Sequence, residues 1–369
     1  MKELFEQLIA EFGLKGRLAD YTALKNGNIN ETYVVKTEAP DGERQYLFQS
    51  INTNVFKQPE DLISNAVAVT EYMRSHREQS TQKCDKRQYV RFYAARDGKN
   101  SFYDACGRCW RVSTYVYDAV TYDTAEGREL FFTGKAFGRF QARLDGFPAD
   151  RLHITIPDFH NTTKRIKDLE RAMKDDVCGR ACECKEMYDY IIMHSDEAAL
   201  LDRMHSSGAL PSRVTHNDTK CNNVMFDRTT GEPVAVIDLD TVMPGLMGHD
   251  FGDAVRFAAS SAPEDCEDLQ RVSLDMTKFR SFADGFLPEV AHMITEPELD
   301  TLADAVFIIT IELAARFLTD YLSGDTYFKT TKHRHNYYRA LCQITLAKDI
   351  KAKMPKMRHE VKEIASRAK

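Results

Sequence analysis

The sequence predicts an α+β fold with two lobes, a small β-rich lobe over residues 1–118 and a larger, mainly helical lobe over residues 119–369. Three observations predict it. Short apolar segments around tight-turn pairs such as Asn26-Gly27 indicate antiparallel strands in the first part. From residue 127 onward, apolar residues recur at helical spacing. A chain of 369 residues is also long enough for two domains with a sizeable core.

The first lobe is built from strand–turn–strand patterns between two helical stretches. Its predicted elements are a helix at 2–14, strands flanking the Asn26-Gly27 turn, a third strand at 45–51, a helix at 59–75, and strands at 91–95, 101–104 and 109–118. The second lobe contains predicted helices at 128–144, 164–206, 251–260, 296–322 and 347–369, and one hairpin over 224–237.

Composition narrows the class of protein. Hydrophobic residues make up 43% and charged residues 29%, as in soluble globular proteins, and the net charge is 50 − 56 = −6 with no long basic run. We therefore expect neither nucleic acid nor a membrane as partner. The chain contains no run of 18 apolar residues and its start lacks an apolar leader core, so a cytoplasmic protein is expected. We also expect a monomer.

Nine cysteines without an export signal favour free thiols in a reducing compartment. Cys106 and Cys109, with Cys178, Cys182 and Cys184, could instead be halves of a zinc site. The second group lies in a charged helical stretch at a spacing unlike that of standard zinc sites, which favours scattered thiols.

The most informative stretch is residues 215–223, which a short hairpin joins to Asp238. Phosphoryl transfer from a nucleotide needs oxygen ligands for Mg²⁺, and Asn223 and Asp238 supply them. Because the two hairpin strands have equal lengths, we expect Asn223, before the first strand, to lie near Asp238, after the second.

The same stretch supplies the reacting groups. Asp218 is the candidate to accept or orient the proton of an attacking hydroxyl, and Lys220 to stabilise the transferred phosphate. His216 is expected to brace the loop. Each residue alone is a weak signal, but their spacing and the following hairpin agree independently.

In this chemistry, the first lobe would bind the nucleotide, taken to be ATP. The turn before Asn30 and Thr32 would lie over the phosphates, although a plain hairpin explains the pattern equally well. Gln49 stands on the third strand where a nucleotide kinase carries a cation. Tyr115 and Tyr117 lie where the chain leaves the first lobe and would meet adenine.

Glu312, Arg316 and Asp320 recur every four residues on the predicted helix 296–322 and share one face. Two interpretations remain open, a solvated stripe or the polar wall of a substrate pocket.

The spacing of His216, Asp218, Lys220 and Asn223 resembles the protein-kinase catalytic loop, and Asp238 stands where its metal-binding aspartate falls. The pattern as a whole is similar to the aminoglycoside phosphotransferase and choline kinase group, which phosphorylates small-molecule hydroxyls. Within that group it most resembles the N-acetylhexosamine 1-kinases, over most of the chain. The matching stretches are 27–33, 214–223, 237–245, 250–253 and 316–328.

This resemblance implies a protein-kinase-like bilobal fold and phosphorylation, with ATP and Mg²⁺, of the anomeric (C1) hydroxyl of N-acetylglucosamine or N-acetylgalactosamine. Asp218 would then be the base, and Arg316, Asp320 and Tyr327 would line the sugar site. Asn28 stands where a histidine reaches the sugar, so it is a candidate contact for both nucleotide and sugar. A Gln at position 49 is shared with this branch.

Three alternatives compete with a sugar 1-kinase. The first is a kinase of another small alcohol, of choline, homoserine, methylthioribose or aminoglycoside type; Arg316 beside the pocket argues against a cationic acceptor. The second is a catalytically inactive binding module, against which Asp218, Asn223 and Asp238 speak. The third is a protein kinase, whose activation segment is missing.

Overall fold

The structure, a computed structural model, describes residues 1–24, 29–78 and 85–368. Its strands are β1 (Arg17–Leu24), β2 (Glu31–Ala39), β3 (Gly42–Ile51), β4 (Phe102–Tyr103), β5 (Cys109–Thr114), β6 (Ala119–Val120), β7 (Arg213–Thr215), β8 (Val224–Asp227), β9 (Pro233–Val236) and β10 (Met243–Gly245). Its α-helices are α1 (Lys2–Glu11), α2 (Pro59–Glu78), α3 (Gly127–Arg143), α4 (Thr162–Asp175), α5 (Ala181–Met193), α6 (Ser195–Ala198), α7 (Leu200–Ser206), α8 (Met247–Ala258), α9 (Met276–Val290), α10 (Glu296–Leu322) and α11 (His335–Ala368).

The chain divides into two compact units. Unit 1 comprises Met1–Val120, Gly146–Pro157 and Met225–Pro244, and unit 2 comprises Thr121–Asp145, Asp158–Val224 and Gly245–Lys369.

Unit 1 is built on an antiparallel sheet with the strand order β1-β2-β3-β5-β4 in the described part of the chain. Aromatic and β-branched side chains favour these strands. Phe5 of α1 packs edge-on against Tyr33, Phe48 and Trp110, so this helix closes the core on one face of the sheet.

The prediction of a strand at 91–95 is wrong. Only a single bridge forms there, between Phe92 and Ser113. The chain turns at once, because the Ala95 N–H donates to the Lys99 carbonyl and the Gly98 N–H donates to the Ala95 carbonyl. Too few consecutive residues remain to form a ladder with β5.

The hairpin predicted over 224–237 is confirmed as β8 and β9, which form a three-stranded sheet with β6. The Asp227 carboxylate closes its turn by accepting the backbone N–H groups of Thr229 and Thr230. These bonds and Arg87 lower the pKa of Asp227 to about 2.

Unit 2 is helical, and α10 lies at its centre, packed against α4, α8 and α11. The prediction of a long helix within residues 296–322 is confirmed, and the helix occupies Glu296–Leu322. Its N-terminus carries a capping box, in which the Thr295 hydroxyl accepts the Glu298 N–H and the Glu298 carboxylate accepts the Thr295 N–H. The helices predicted at 251–260 and 347–369 begin earlier, at Met247 and His335.

Within the described ranges, no helix combines the length and the apolar composition needed to cross a membrane. Eight cysteines lie in these ranges, and all are free thiols.

Candidate active site

The loop after β7 is held by one buried carboxylate. Asp250, in the first turn of α8, accepts the N–H of His216 through Oδ2 at 2.9 Å and that of Asn217 through Oδ1 at 2.8 Å. Asn217 has a left-handed backbone, with φ 64°. Asp250 therefore fixes the loop one residue before Asp218.

Two further bonds complete this anchor. Gln141 of α3 donates its side-chain amide to Oδ2 of Asp250 at 2.6 Å, and the Thr219 hydroxyl donates to the Asp250 carbonyl at 2.8 Å. Burial raises the pKa of Asp250, while the donated N–H groups of His216, Asn217 and Gln141 act against that rise. The loop is thus bonded to α8 on both sides of Asp218.

Asp218, Lys220 and Asn223 converge at the end of the loop. Lys220 Nζ lies 2.6 Å from Oδ1 of Asp218, and the Asn223 side-chain amide donates to Oδ2 of Asp218 at 3.0 Å and to its carbonyl at 2.8 Å. The carboxylate is thus oriented by two partners while it stays partly exposed. Because the Asn223 side-chain NH₂ group donates to Asp218, Oδ1 of Asn223 points away from Asp218.

Lys220 stays protonated beside two acids. Burial lowers its pKa, but the charges of Asp218 and Asp253 outweigh that effect and raise it. Asp253 is itself buried and paired with Arg256 at 2.9 Å, and Arg256 and Lys220 overcome its burial and lower its pKa. A fixed positive charge therefore stands at the carboxylate expected to handle the hydroxyl proton.

His216 is fully buried, with its ring packed edge-on against Phe137 and Phe140 of α3. Its Nδ1 accepts the Asp218 N–H at 3.3 Å, so this nitrogen carries no proton in that arrangement. The side chain packs behind the loop and supports the backbone of Asp218.

Asp238 follows β9 by two residues, with an exposed side chain and a left-handed backbone at φ 58°. It precedes a short turn, Leu239–Thr241. An exposed carboxylate of this kind is a hard oxygen donor of the type that Mg²⁺ prefers. Among the described residues, no three His, Cys, Asp or Glu side chains form a metal-binding group.

In unit 1, three of the predicted nucleotide residues belong to one hydrogen-bonded network. Gln49 donates to the Thr32 hydroxyl at 3.3 Å and accepts from Nε of Arg111 at 3.0 Å. Arg111 also pairs with Asp240 at 2.6 Å, and Asp240 accepts from the Asn30 amide at 2.5 Å. Sequence reasoning identified Asn30, Thr32 and Gln49 but missed the buried ion pair that joins them.

Tyr115 and Tyr117 are not part of this network in the described part of the chain. Asn28 lies outside the described residues. Tyr115 and Tyr117 follow β5, the first half-buried and the second exposed. The guanidinium of Arg87 lies 5.9 Å from the Tyr117 ring.

A cavity of about 200 Å³ lies in unit 2 beside the C-terminal half of α10. Its lining residues are Arg165, Asp168, Arg316, Thr319, Asp320, Ser323, Thr326, Tyr327 and Phe328. Three of these, Arg316, Asp320 and Tyr327, are the predicted sugar residues, and Arg165 is an addition that the sequence did not indicate.

Hydrogen-bond donors dominate the free groups of this cavity. The Arg316 guanidinium stacks on Phe159 and Phe328, 5.5 Å from each ring centroid, and has no hydrogen bond or ion pair to any described residue. Nε of Arg165 and the hydroxyl of Thr319 are also unpaired. Burial, and then the charge of Arg316, lower the pKa of Arg165.

The acidic residues near the cavity are already occupied. Asp320 accepts the backbone N–H groups of Thr326, Tyr327 and Phe328 and the side-chain amide of Asn336. It therefore shapes the segment that carries Tyr327. Asp168 is bonded to Lys164 at 3.1 Å.

The interpretation of the stripe as a solvated face is wrong, because Glu312 is 1% and Asp320 5% exposed. Glu312 accepts from Nδ1 of His160 at 3.0 Å and from the Thr162 hydroxyl at 2.8 Å. Burial would raise its pKa, but the His160 and Arg316 charges lower it.

Comparison with known proteins agrees with this architecture. Residues 20–276 match the sequence model of the phosphotransferase enzyme family. The fold is similar to an aminoglycoside phosphotransferase from Alicyclobacillus acidocaldarius subsp. acidocaldarius, at 14% identity and a TM-score of 0.59 over 94% of this chain and 93% of that chain.

Two other solved structures share the fold. A choline kinase from Cryptosporidium parvum matches at 13% identity and a TM-score of 0.56, over 91% of this chain and 90% of that chain. A spectinomycin phosphotransferase in complex with ADP and spectinomycin matches at 10% identity and a TM-score of 0.52, over 93% of this chain and 98% of that chain. The predicted α+β, protein-kinase-like fold is confirmed.

Proposed function

Because the chain belongs to the phosphotransferase enzyme family, we propose that it transfers the γ-phosphoryl group of ATP to the C1 hydroxyl of an N-acetylhexosamine. The coarser assignment, a phosphotransferase with a small alcohol as acceptor, follows from the family. The sugar and its anomeric hydroxyl are the proposal.

The observation that carries the proposal is the Asp218–Lys220–Asn223 cluster on a loop fixed by Asp250. Asp218 presents a partly exposed, oriented carboxylate that can accept the proton of the acceptor hydroxyl. Lys220 stabilises the negative charge of the transferred group. Catalysis of phosphoryl transfer consists mainly of such positioning and charge neutralisation.

ATP is proposed as donor because the family transfers phosphoryl groups and the spectinomycin phosphotransferase of the same fold is in complex with ADP. Asn223 and Asp238 would hold Mg²⁺, which neutralises phosphate charge when bound. Asn30, Thr32 and Gln49 are proposed on the nucleotide side, with Tyr115 and Tyr117 beside the base.

An N-acetylhexosamine as acceptor is supported by the donor-rich cavity around Arg165 and Arg316. Its acetamido carbonyl and hydroxyl oxygens accept hydrogen bonds from guanidinium groups. A quaternary ammonium group would instead want open aromatic faces. Here Phe159 and Phe328 are already covered by Arg316, and two positive charges repel a cation.

The test is a panel of acceptors with purified full-length protein, ATP and Mg²⁺. We expect ADP release with N-acetylglucosamine or N-acetylgalactosamine, with loss of the reducing end because C1 becomes blocked. ADP release with choline, ethanolamine or an aminoglycoside, and none with hexosamines, would reject the sugar and retain the family activity.

A further inference from the structure

A buried arginine stands beside the predicted nucleotide residues without a role in the assignments above. Arg111 on β5 is paired directly across the sheet with Gln49 on β3, and it is 2% exposed. Three contacts fix its guanidinium: Nε donates to Gln49, Nη2 lies 2.6 Å from Asp240, and the group lies 5.6 Å from the centroid of Phe92. The cation is therefore held in one orientation.

The remaining nitrogen of Arg111, Nη1, is buried and has no acceptor among the described residues. Arginine stays protonated in proteins, and buried donors in native structures nearly always have a partner. A fixed cation with one unused donor therefore points to an acceptor that a ligand brings, and an arginine fork suits phosphate oxygens.

Gln49 indicates which ligand this is. In nucleotide-dependent kinases a lysine on the third strand pairs with the nucleotide phosphates. Gln49 is neutral, its Oε1 accepts from Arg111, and its Nε2 donates to Thr32. The positive charge missing at position 49 thus lies opposite it, at position 111.

We propose that Arg111 supplies the cation for the nucleotide phosphates through Nη1, and that Asp240 is the positioning residue that holds it. This inference rests on the proposed function only in requiring a nucleotide donor. It makes Arg111 on β5 and Asp240 in the Leu239–Thr241 turn the counterpart of a lysine–acid pair.

Asp240 also connects this pair to the expected metal ligand. It lies in the Leu239–Thr241 turn, which begins directly after Asp238. Its second oxygen accepts from Asn30, whose own oxygen accepts the Asn52 N–H at 2.9 Å. Loss of Arg111 should consequently weaken the response to Mg²⁺ as well as the affinity for nucleotide.

The test measures MgADP binding to the full-length protein by calorimetry, together with thermal unfolding. Replacing Arg111 alone leaves Asp240 as an unpaired buried charge, so the informative variant is Arg111→Gln with Asp240→Asn, which removes both charges. We expect MgADP to bind this double variant at least about 10-fold more weakly than wild type. Wild-type affinity in the double variant would show that Arg111 only neutralises Asp240, and would overturn the proposal.

If the double variant unfolds, a second variant that moves the positive charge from position 111 to position 49 tests the proposal. Gln49→Lys in the Arg111→Gln background returns a cation to the position directly opposite on β3. We expect it to regain nucleotide affinity over Arg111→Gln, whereas a folded variant without any gain would contradict the proposal. Arg96→Gln, at an exposed position of unit 1, is the matched control and should bind MgADP like wild type.

MgADP binding to the wild-type protein separates kinase activity from the role of Arg111. If wild type binds no MgADP, the kinase assignment is wrong and the role of Arg111 falls with it. If wild type binds MgADP and no Arg111 variant changes that affinity, the kinase assignment stands and only the role of Arg111 is wrong.

Discussion

Oδ1 of Asp250 accepts the backbone N–H of Asn217 at 2.8 Å, and this bond secures a left-handed residue immediately before Asp218. A non-glycine residue at positive φ is strained, so the surrounding contacts must hold it there. The conformation of the candidate active-site loop therefore depends on a side chain of α8.

Asp250→Asn should inactivate the enzyme and destabilise the fold. The new amide places a donor against backbone N–H groups, and one unsatisfied buried group costs about 1–3 kcal/mol. Small displacements at a reacting centre cost about 100-fold in rate, so a loss of that order in kcat is expected. Kinetics and urea unfolding measure the two effects.

Asp275→Asn is the control for this change. Asp275 caps α9 by accepting the N–H groups of Thr277 and Lys278, and asparagine caps helices equally well. Its stability and kcat should stay near wild type. An Asp250→Asn protein with full kcat would show that the loop does not need this anchor.

The anchor also shows where sequence reasoning ends. The spacing from His216 to Asn223 and the apolar periodicity of α10 are local patterns, so the loop and the helix 296–322 could be predicted. Asp250 bonds to a backbone 34 positions away. Such a partner leaves no periodic trace in a single sequence, although residues 250–253 are one of the stretches that carry the resemblance.

The sequence alone also does not reveal the Gln49–Arg111 pair in unit 1 or the contribution of Arg165 to the cavity, because both depend on residues that are distant in the sequence. Gln49 was predicted at the nucleotide site, but its cross-strand partner Arg111 depends on the register of β3 with β5. Arg165 comes from α4, a helix whose sequence gave no sign of a site. The stripe on α10 left two interpretations open, because helical spacing alone does not tell a buried polar face from a solvated one.

Asp218→Asn should abolish turnover while the protein stays folded. The substitution keeps size and shape but removes the proton acceptor, and loss of a general base lowers rates by about 100- to 10,000-fold. Steady-state kcat and MgADP binding measure the effect, and binding should persist. Asp189→Asn, which breaks an exposed Asp–Lys pair on α5, is a matched control with unchanged kcat expected. Retained turnover in Asp218→Asn would remove Asp218 from the base role.

Arg316→Met should impair recognition of the acceptor and leave the nucleotide unaffected. Hydrogen bonds to a charged group contribute about 1.5–3 kcal/mol, so the KM for the acceptor should rise by about 10- to 100-fold. The KM for ATP should stay constant. Arg165→Met should act in the same direction, while Arg171→Met, a highly exposed position on the same helix, should have no effect. An equal rise in both KM values would place Arg316 outside acceptor recognition.

His249 should make the fold less stable in mild acid. Burial, and then the charge of His160, lower the pKa of His249 from 6.5 to about 3, while Nδ1 accepts the Leu246 N–H. In the unfolded chain His249 binds a proton as the pH falls through 6.5, whereas in the folded chain it stays neutral until the pH approaches 3. Stability from this group is therefore full above pH 6.5 and falls as the pH drops toward 3.

Between pH 7.5 and pH 5 this difference in proton binding should remove about 2 kcal/mol from the free energy of unfolding. His249→Asn keeps an acceptor for Leu246 and cannot be protonated, so its unfolding free energy should fall less steeply over that range. Urea unfolding at several pH values measures the slope, and His333→Asn, at an exposed position, controls for the loss of one histidine. Equal slopes for wild type and His249→Asn would mean that this histidine is protonated in the folded protein.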